Sequence, residues 1–239
     1  MGEMTGLRAY RPIPDGTHPS NDFAGYGSTA LRHPKQPPVV IPQTLSEITG
    51  PVQGFERFGP VATDLTMQSA APAQGERIIV EGRVLDEDAR PIAGTLVELW
   101  QANAAGRYAH PNDQHDAPLD PNFTGAGRAI TDAEGRYRFV TIKPGAYPWR
   151  NHANAWRPAH LHFSLFGPSF LTRLITQMYF PGDPLLPHDP IYNSAPDPLA
   201  RQRMVSSFDF DLTKPEWALG YRFDMVVRGR LATPMETAP

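Results

Sequence analysis

RIIVEGRVLD, residues Arg77 to Asp86, is a run of β-branched and apolar residues that stops at the turn sequence DARPIAG, Asp88 to Gly94. Five further runs share its character: TLVELW (Thr95 to Trp100), RYRFVTI (Arg136 to Ile142), HLHFSLF (His160 to Phe166), LITQMYF (Leu174 to Phe180) and YRFDMVV (Tyr221 to Val227). Each is short, rich in Val, Ile, Tyr and Phe, and bounded by Gly, Pro, Asp or Asn, which is the grammar of strands. PDPLARQRMV, Pro196 to Val205, is the one stretch that reads as helix, with a proline near its start and few strand formers. Short strands that do not alternate with helices predict a mainly β protein, an antiparallel β-sandwich.

Working outward, residues 1 to about 70 carry a proline every few positions, as in PIPDGTHPS and HPKQPPVVIPQ, and support neither interior helices nor central strands. They also carry Tyr10, Phe23, Tyr26, Phe55 and Phe58, aromatics that a free linker does not need. The expected organisation is an extended Pro-rich N-terminal arm over 1–70, lying on its own domain or on a partner. A sandwich over 71–230 and a tail over 231–239 follow. Two connections are too long for hairpins: Gln101 to Ala129 and Lys143 to Ala159. Irregular loops beyond about 12–15 residues in a compact domain are usually functional.

Composition narrows the chemistry. The 239 residues include 27 Pro and 20 Gly, well above average usage, yet 40% are hydrophobic, enough for a core. There is no cysteine. That excludes a disulfide scaffold, a thiolate zinc site, an iron–sulfur cluster and a thiol nucleophile. Any metal must be held by His, Tyr, Asp or Glu. The net charge of −3 and the lack of a basic tract argue against nucleic acid. No signal-like or membrane-spanning run is visible, so a cytoplasmic location is expected.

His160 and His162 stand two apart on an expected strand, so both imidazoles face one way, with Cα atoms about 6.5–7 Å apart. Two such rings can converge on one ion, but the same spacing also serves structural or surface pairs. No H-x-D, H-x-E or H-E-x-x-H accompanies them. Tyrosine does: Tyr108 ends GRY in the first long loop and Tyr147 lies in GAYPW in the second. A phenol titrates near pH 10, so a tyrosinate ligand at neutral pH requires a strong Lewis acid such as ferric iron. Each tyrosine alone would equally serve as an amphipathic anchor for its loop.

The combination of LVELWQANAAGRY, LDPNF, TIKPGAYPWRN, WRPAHLHFSL and YRFDMVVRG resembles the intradiol ring-cleaving dioxygenases over most of the chain. The likeness extends through the arm by YGSTALRHPKQ and IPQTLSEITGP. Ala89 departs from it, standing in a turn where the family usually has Gly. The resemblance implies a mononuclear non-haem Fe(III) site with Tyr108, Tyr147, His160 and His162 as protein ligands and Tyr147 as the one displaced by substrate. It implies Arg157 beside the substrate, and Tyr26, Trp149, Gln177, Ile191 and Trp100 around the ring and its carboxylate. Within the family, the likeness is to the iron-bearing chain of members that open 3,4-dihydroxybenzoate with O2. It therefore implies a related α chain, an αβ protomer and a higher oligomer.

Two other readings stand beside this one. A catechol or hydroxyquinol dioxygenase would use the same iron site, but those relatives carry a helical N-terminal region, and the arm here is too rich in proline. A non-catalytic prealbumin-like binding sandwich would also use the strand–turn–strand pattern of IIVEGRVLDEDARPIAGTLVEL and TDAEGRYRF. It would not need the two tyrosines and two histidines.

Overall fold

The computed structural model describes residues 19–37, 39, 59–86, 88–150, 153, 156–166 and 174–227. Two sheets face each other. In the first, β1 (Arg77–Leu85) pairs antiparallel with β4 (Arg136–Ile142), and parallel with β10 (Leu219–Arg222) and β11 (Met225–Val226), while β9 (Ser207–Phe208) lies beyond β10. The second runs in the order β3 (Ala126–Ile130), β2 (Leu96–Trp100), β7 (His160–Phe166), β8 (Leu174–Tyr179), antiparallel throughout. A ribbon of two residues a side, β5 (Tyr147–Pro148) with β6 (Trp156–Arg157), stands apart. This is the expected sandwich, with β1 running parallel to the returning C-terminal strands.

Alternation decides which side chains meet. Ile78, Val80 and Val84 of β1 and Phe139 of β4 turn inward against Val97 and Leu99 of β2 and Leu161, Phe163 and Leu165 of β7. Phe163 is central, its ring 5.7 Å from Tyr137, 6.3 Å from Phe139 and 5.6 Å from Phe223. Ile79 faces the other way and packs on Leu212 and Ala218, so β1 is buried on both sides. On β7 the residues between the core positions, His160, His162 and Ser164, face away from that core, as period-2 pleating requires.

Some elements differ from the sequence reading. The expected helix forms over Pro198–Arg203, capped by the Asp197 side chain. Short helices also form at Thr29–Arg32 and Pro190–Ser194, with a 3₁₀ turn at Leu186–His188. Pieces of three to five residues present no periodicity for a sequence to reveal. The first long loop ends earlier than expected, because Ala126–Ile130 forms an edge strand despite a composition poor in strand formers. YRFDMVV is broken into β10 and β11 at Phe223 and Asp224, where the Phe223 carbonyl accepts a hydrogen bond from the Tyr137 hydroxyl at 2.5 Å.

Residues at the end of the arm stitch the sandwich together. Ala62 bridges to Arg128 of β3, Asp64 bridges to Val140 of β4, and Leu65 is wholly buried. Earlier in the arm, the Tyr26 ring meets Trp149 edge-on at 4.6 Å. Residues 1–18, 40–58 and 228–239, which include Tyr10, Phe55, Phe58 and the expected tail, lie outside the described residues. Among the described residues no helix is long and apolar enough to cross a membrane.

Candidate metal centre

The outward face of the second sheet supplies the floor of the site. Strand register places Trp100 opposite His162, His162 opposite Gln177, and His160 opposite Tyr179. Trp100 accordingly stacks flat on the His162 ring, with centroids 4.9 Å apart and planes 8° from parallel. Two loops then bring tyrosines over this row. Tyr108 Oη lies 3.0 Å from His162 Nε2, and Tyr147 Oη lies 3.4 Å from His160 Nε2. The two phenol rings meet edge-on at 5.5 Å, and the two imidazoles at 4.8 Å.

The loops reach this arrangement because their backbones dock on one another. The Asn103 side-chain oxygen accepts from the N–H groups of Ala105 and Arg107, closing the tight turn before Tyr108. The Asn103 carbonyl accepts from the Gly145 N–H of the second loop at 3.0 Å. Gln101 adds a buried tie, donating from Nε2 to the Ile142 carbonyl at 2.7 Å and accepting from the Thr141 hydroxyl. At the crossing, a Cβ on Gly106 would sit 2.1 Å from the Ala146 carbonyl, and one on Gly145 would sit 2.5 Å from the Ala104 carbonyl. Gly106 also has φ of +79°, which an L side chain rarely adopts. The glycines of GRY and GAY are therefore what lets the two tyrosines approach.

The β5–β6 ribbon, read from sequence as plain loop, sets Tyr147 directly opposite Arg157. Arg157 is 2% exposed, the largest buried side chain of the protein's described residues. Its Nη1 lies 3.1 Å from Tyr147 Oη and 3.0 Å from His160 Nε2. Its Nη2 donates to Gln177 Oε1 at 2.7 Å, and its guanidinium carbon sits 5.3 Å over the Trp149 ring. Ile191 is half-buried on the Pro190–Ser194 helix. Tyr179 and Asp189 also belong to the cluster and were missed in the sequence reading. The signals were there: Tyr179 repeats the period-2 spacing from Gln177, and Asp before Pro is a helix N-cap signature.

Electrostatics keep the two imidazoles of this cluster neutral and free to act as donors. Burial, then the nearby Arg157 charge, pushes His162 down to about 3, and the same two causes hold His160 well below its ordinary value. Both rings are thus neutral and keep a lone pair. His160 Nδ1 lies 2.7 Å from the Pro158 carbonyl, which fixes its proton there and leaves Nε2 as the acceptor that faces Arg157 Nη1 and Tyr147 Oη. Burial and the adjacent Tyr147 raise Tyr108 well above its ordinary value, so the phenol ionises only if a strong positive charge joins it.

Tyr108, Tyr147, His160 and His162 are the residues able to hold a metal. Their donor atoms pair at 3.0 Å (Tyr108 Oη with His162 Nε2) and 3.4 Å (Tyr147 Oη with His160 Nε2), near enough for one ion to be shared. Two phenolates and two imidazoles are hard oxygen and nitrogen donors, the set that suits trivalent iron. Among the described residues no group of three His, Asp or Glu could hold a metal, so a metal at His160 and His162 would take Tyr108 and Tyr147 as its further donors.

Fold and site together define a class. The chain matches the family described as Dioxygenase over residues 48–229, and it belongs to the intradiol dioxygenase family. Members of that family are iron-dependent. Residues 10–44 match a second description, protocatechuate 3,4-dioxygenase beta subunit N terminal. The chain is 59% identical over 222 residues to the protocatechuate 3,4-dioxygenase beta chain of Burkholderia cepacia, covering 92% of this chain and 94% of that one. Among solved structures, the dioxygenase domain of a carbohydrate-binding fusion from Streptomyces sp. SirexAA-E aligns with TM-score 0.52 at 26% identity, over 71% of this chain and 89% of that one. The 3-chlorocatechol 1,2-dioxygenase of Rhodococcus opacus aligns with TM-score 0.50 at 28% identity, over 69% and 64%.

Proposed function

We propose that this chain opens the ring of protocatechuate (3,4-dihydroxybenzoate) between its two hydroxyl-bearing carbons. Both atoms of O2 enter the product, 3-carboxy-cis,cis-muconate. The observation that carries this reading is the convergence of Tyr108, Tyr147, His160 and His162 beside a buried arginine. The high identity to a protocatechuate 3,4-dioxygenase beta chain and the match of the arm support the choice of substrate.

The four donors hold a single ferric ion in this reading. Ferric iron, when bound, would supply a Lewis acid that favours loss of the catechol protons, and the catechol dianion is the form electron-rich enough to meet O2. The protein does the rest. Tyr147 Oη, within reach of both His160 and Arg157 and held as a phenolate when the metal is bound, would take a proton from one catechol hydroxyl, and a solvent hydroxide would take the other. Arg157 keeps its positive charge beside the ring. Burial disfavours that charge, and the hydrogen bonds to Asp189 and the neighbouring tyrosine oxygens more than offset the penalty. A fixed cation in so dry a place stabilises negative charge that develops during cleavage far better than water would. Trp149, Tyr26, Trp100, Gln177 and Ile191 shape the pocket and exclude water from it.

The match of residues 10–44 to a beta-subunit N terminus and the likeness to a beta chain support a related α chain in an αβ protomer within a larger oligomer, and a cytoplasmic location belongs to the same reading. Co-expression and co-purification test the partner; full activity of this chain as a monomer argues against it. The activity is tested by O2 uptake with protocatechuate against catechol, on protein from an iron-replete host. We expect a red-brown preparation, coloured by tyrosinate-to-iron charge transfer, that prefers protocatechuate. Preference for catechol would move the assignment to that branch of the family. A colourless, iron-free preparation would favour a binding sandwich.

A further inference from the structure

Asp189 has no exposed surface, lies 32 residues beyond Arg157 in sequence, and is not one of the groups that face substrate in the reading above. Its carboxylate grips the guanidinium at two points: Oδ1 accepts from Nε at 2.9 Å and Oδ2 accepts from Nη2 at 2.9 Å. Oδ2 also accepts from the Tyr179 hydroxyl at 2.8 Å and from the Tyr192 N–H at 3.2 Å. That last bond caps the Pro190–Ser194 helix, so the carboxylate is anchored to backbone. The Tyr179 hydroxyl lies 2.7 Å from Gln177 Oε1 and 3.0 Å from Arg157 Nη2.

A guanidinium offers five N–H donors in one plane. Asp189 occupies the edge formed by Nε and Nη2, and Gln177 and Tyr179 crowd the remainder of Nη2. Only Nη1 is left, and it faces Tyr147 Oη and His160 Nε2. We propose that Asp189, with Tyr179 as its bridge, is a positioning residue for the ring-cleavage reaction: by gripping one edge of Arg157 it aims the other at Tyr147 and the substrate. This rests on the reading of the site given above. A carboxylate that merely neutralised a buried charge would not need the two-point grip, the backbone anchor and the tyrosine bridge together.

The test uses the iron-loaded protein, purified with its partner chain where one co-assembles. Asp189→Asn keeps the shape but places an amide N–H against guanidinium N–H, so the grip is lost. We expect iron content to be retained, kcat per iron to fall roughly 10- to 100-fold, the range for partners that orient a metal site, and KM to change little. The visible tyrosinate band should shift, because Nη1 no longer sits on Tyr147. Arg157→Lys should be slow on its own, and the double variant Arg157→Lys/Asp189→Asn no slower, since Asp189 acts through Arg157. Wild-type kcat per iron in Asp189→Asn, or losses that multiply in the double variant, overturns the proposal. Should Asp189→Asn lose its iron, Tyr179→Phe carries the test: a several-fold fall in kcat at full iron content supports it and a wild-type kcat overturns it. If wild-type protein itself fails to open protocatechuate, the functional reading falls. The band comparison then decides the positioning role alone, a shift supporting it and an unchanged band overturning it.

Discussion

At the scale of single residues, Arg157 shows why charge alone does not define a site. A lysine there would keep the cation but lose the planar fork that meets Asp189, Gln177, Tyr147 and His160 at once. Arg157→Lys should therefore retain iron and slow ring opening about 100-fold or more, read as turnover per bound iron. Tyr147→Phe should keep iron, change the visible spectrum and turn over slowly. A spectrum identical to wild type would exclude Tyr147 as a ligand. Asp189 gives a pH signature. Burial raises its carboxyl, but Arg157, Tyr179 and the Tyr192 N–H outweigh that and hold it below the ordinary 3.8. A depressed value means the stabilisation is present above the ordinary aspartate range and is lost as pH falls below it. Thermal melts across that range should show an acid limb that is weaker in Asp189→Asn. Ala89 is a separate matter: its φ of +61° is a left-handed conformation that costs an alanine more than a glycine. Ala89→Gly should raise stability by about 0.5–1 kcal/mol, or roughly 2 °C, at unchanged activity.

At the scale of elements, the long core strands and the helix over Pro198–Arg203 were readable in the sequence, whereas β3 and the shortest strands and helices were not. RIIVEGRVL and HLHFSLF declare themselves by β-branched and alternating residues, and the second also declares that His160 and His162 share a face. The tyrosines, histidines and Arg157 were legible through the family's motifs, since no local periodicity marks GRY or GAYPW. The β5–β6 ribbon was illegible because two residues a side give no pattern. Asp189 is legible only as a helix N-cap; its pairing with Arg157, 32 residues away, is not, because only packing joins them. The crossing of the two loops makes its own prediction. Gly106→Ala forces a Cβ against the Ala146 carbonyl at a positive φ, at a cost of about 2 kcal/mol or more. Tyr108 and Tyr147 would move apart. Iron content and colour should both fall, while the far-ultraviolet spectrum of the sandwich stays largely intact.

At the scale of the whole molecule, a rigid two-sheet frame holds one face of β7 to the core and offers the other to chemistry. Excess proline and glycine, which on composition alone suggests looseness, lie mostly outside the long strands: in residues 1–70, in the two loops that carry the tyrosines and in the connections after β8. A metal that binds the folded chain and not the unfolded one must stabilise the fold. Chelation of the iron should lower the melting temperature by about 5–10 °C if the metal stands at a hundredfold its dissociation constant. Restoring iron should return both the melting point and the colour. Intradiol cleavage at the Tyr108, Tyr147, His160 and His162 cluster is best checked by mass spectrometry of the product formed from protocatechuate under 18O2. The expected product is 3-carboxy-cis,cis-muconate carrying label from both atoms of O2. A product opened outside the two hydroxyl-bearing carbons, or one that carries no label, would contradict it.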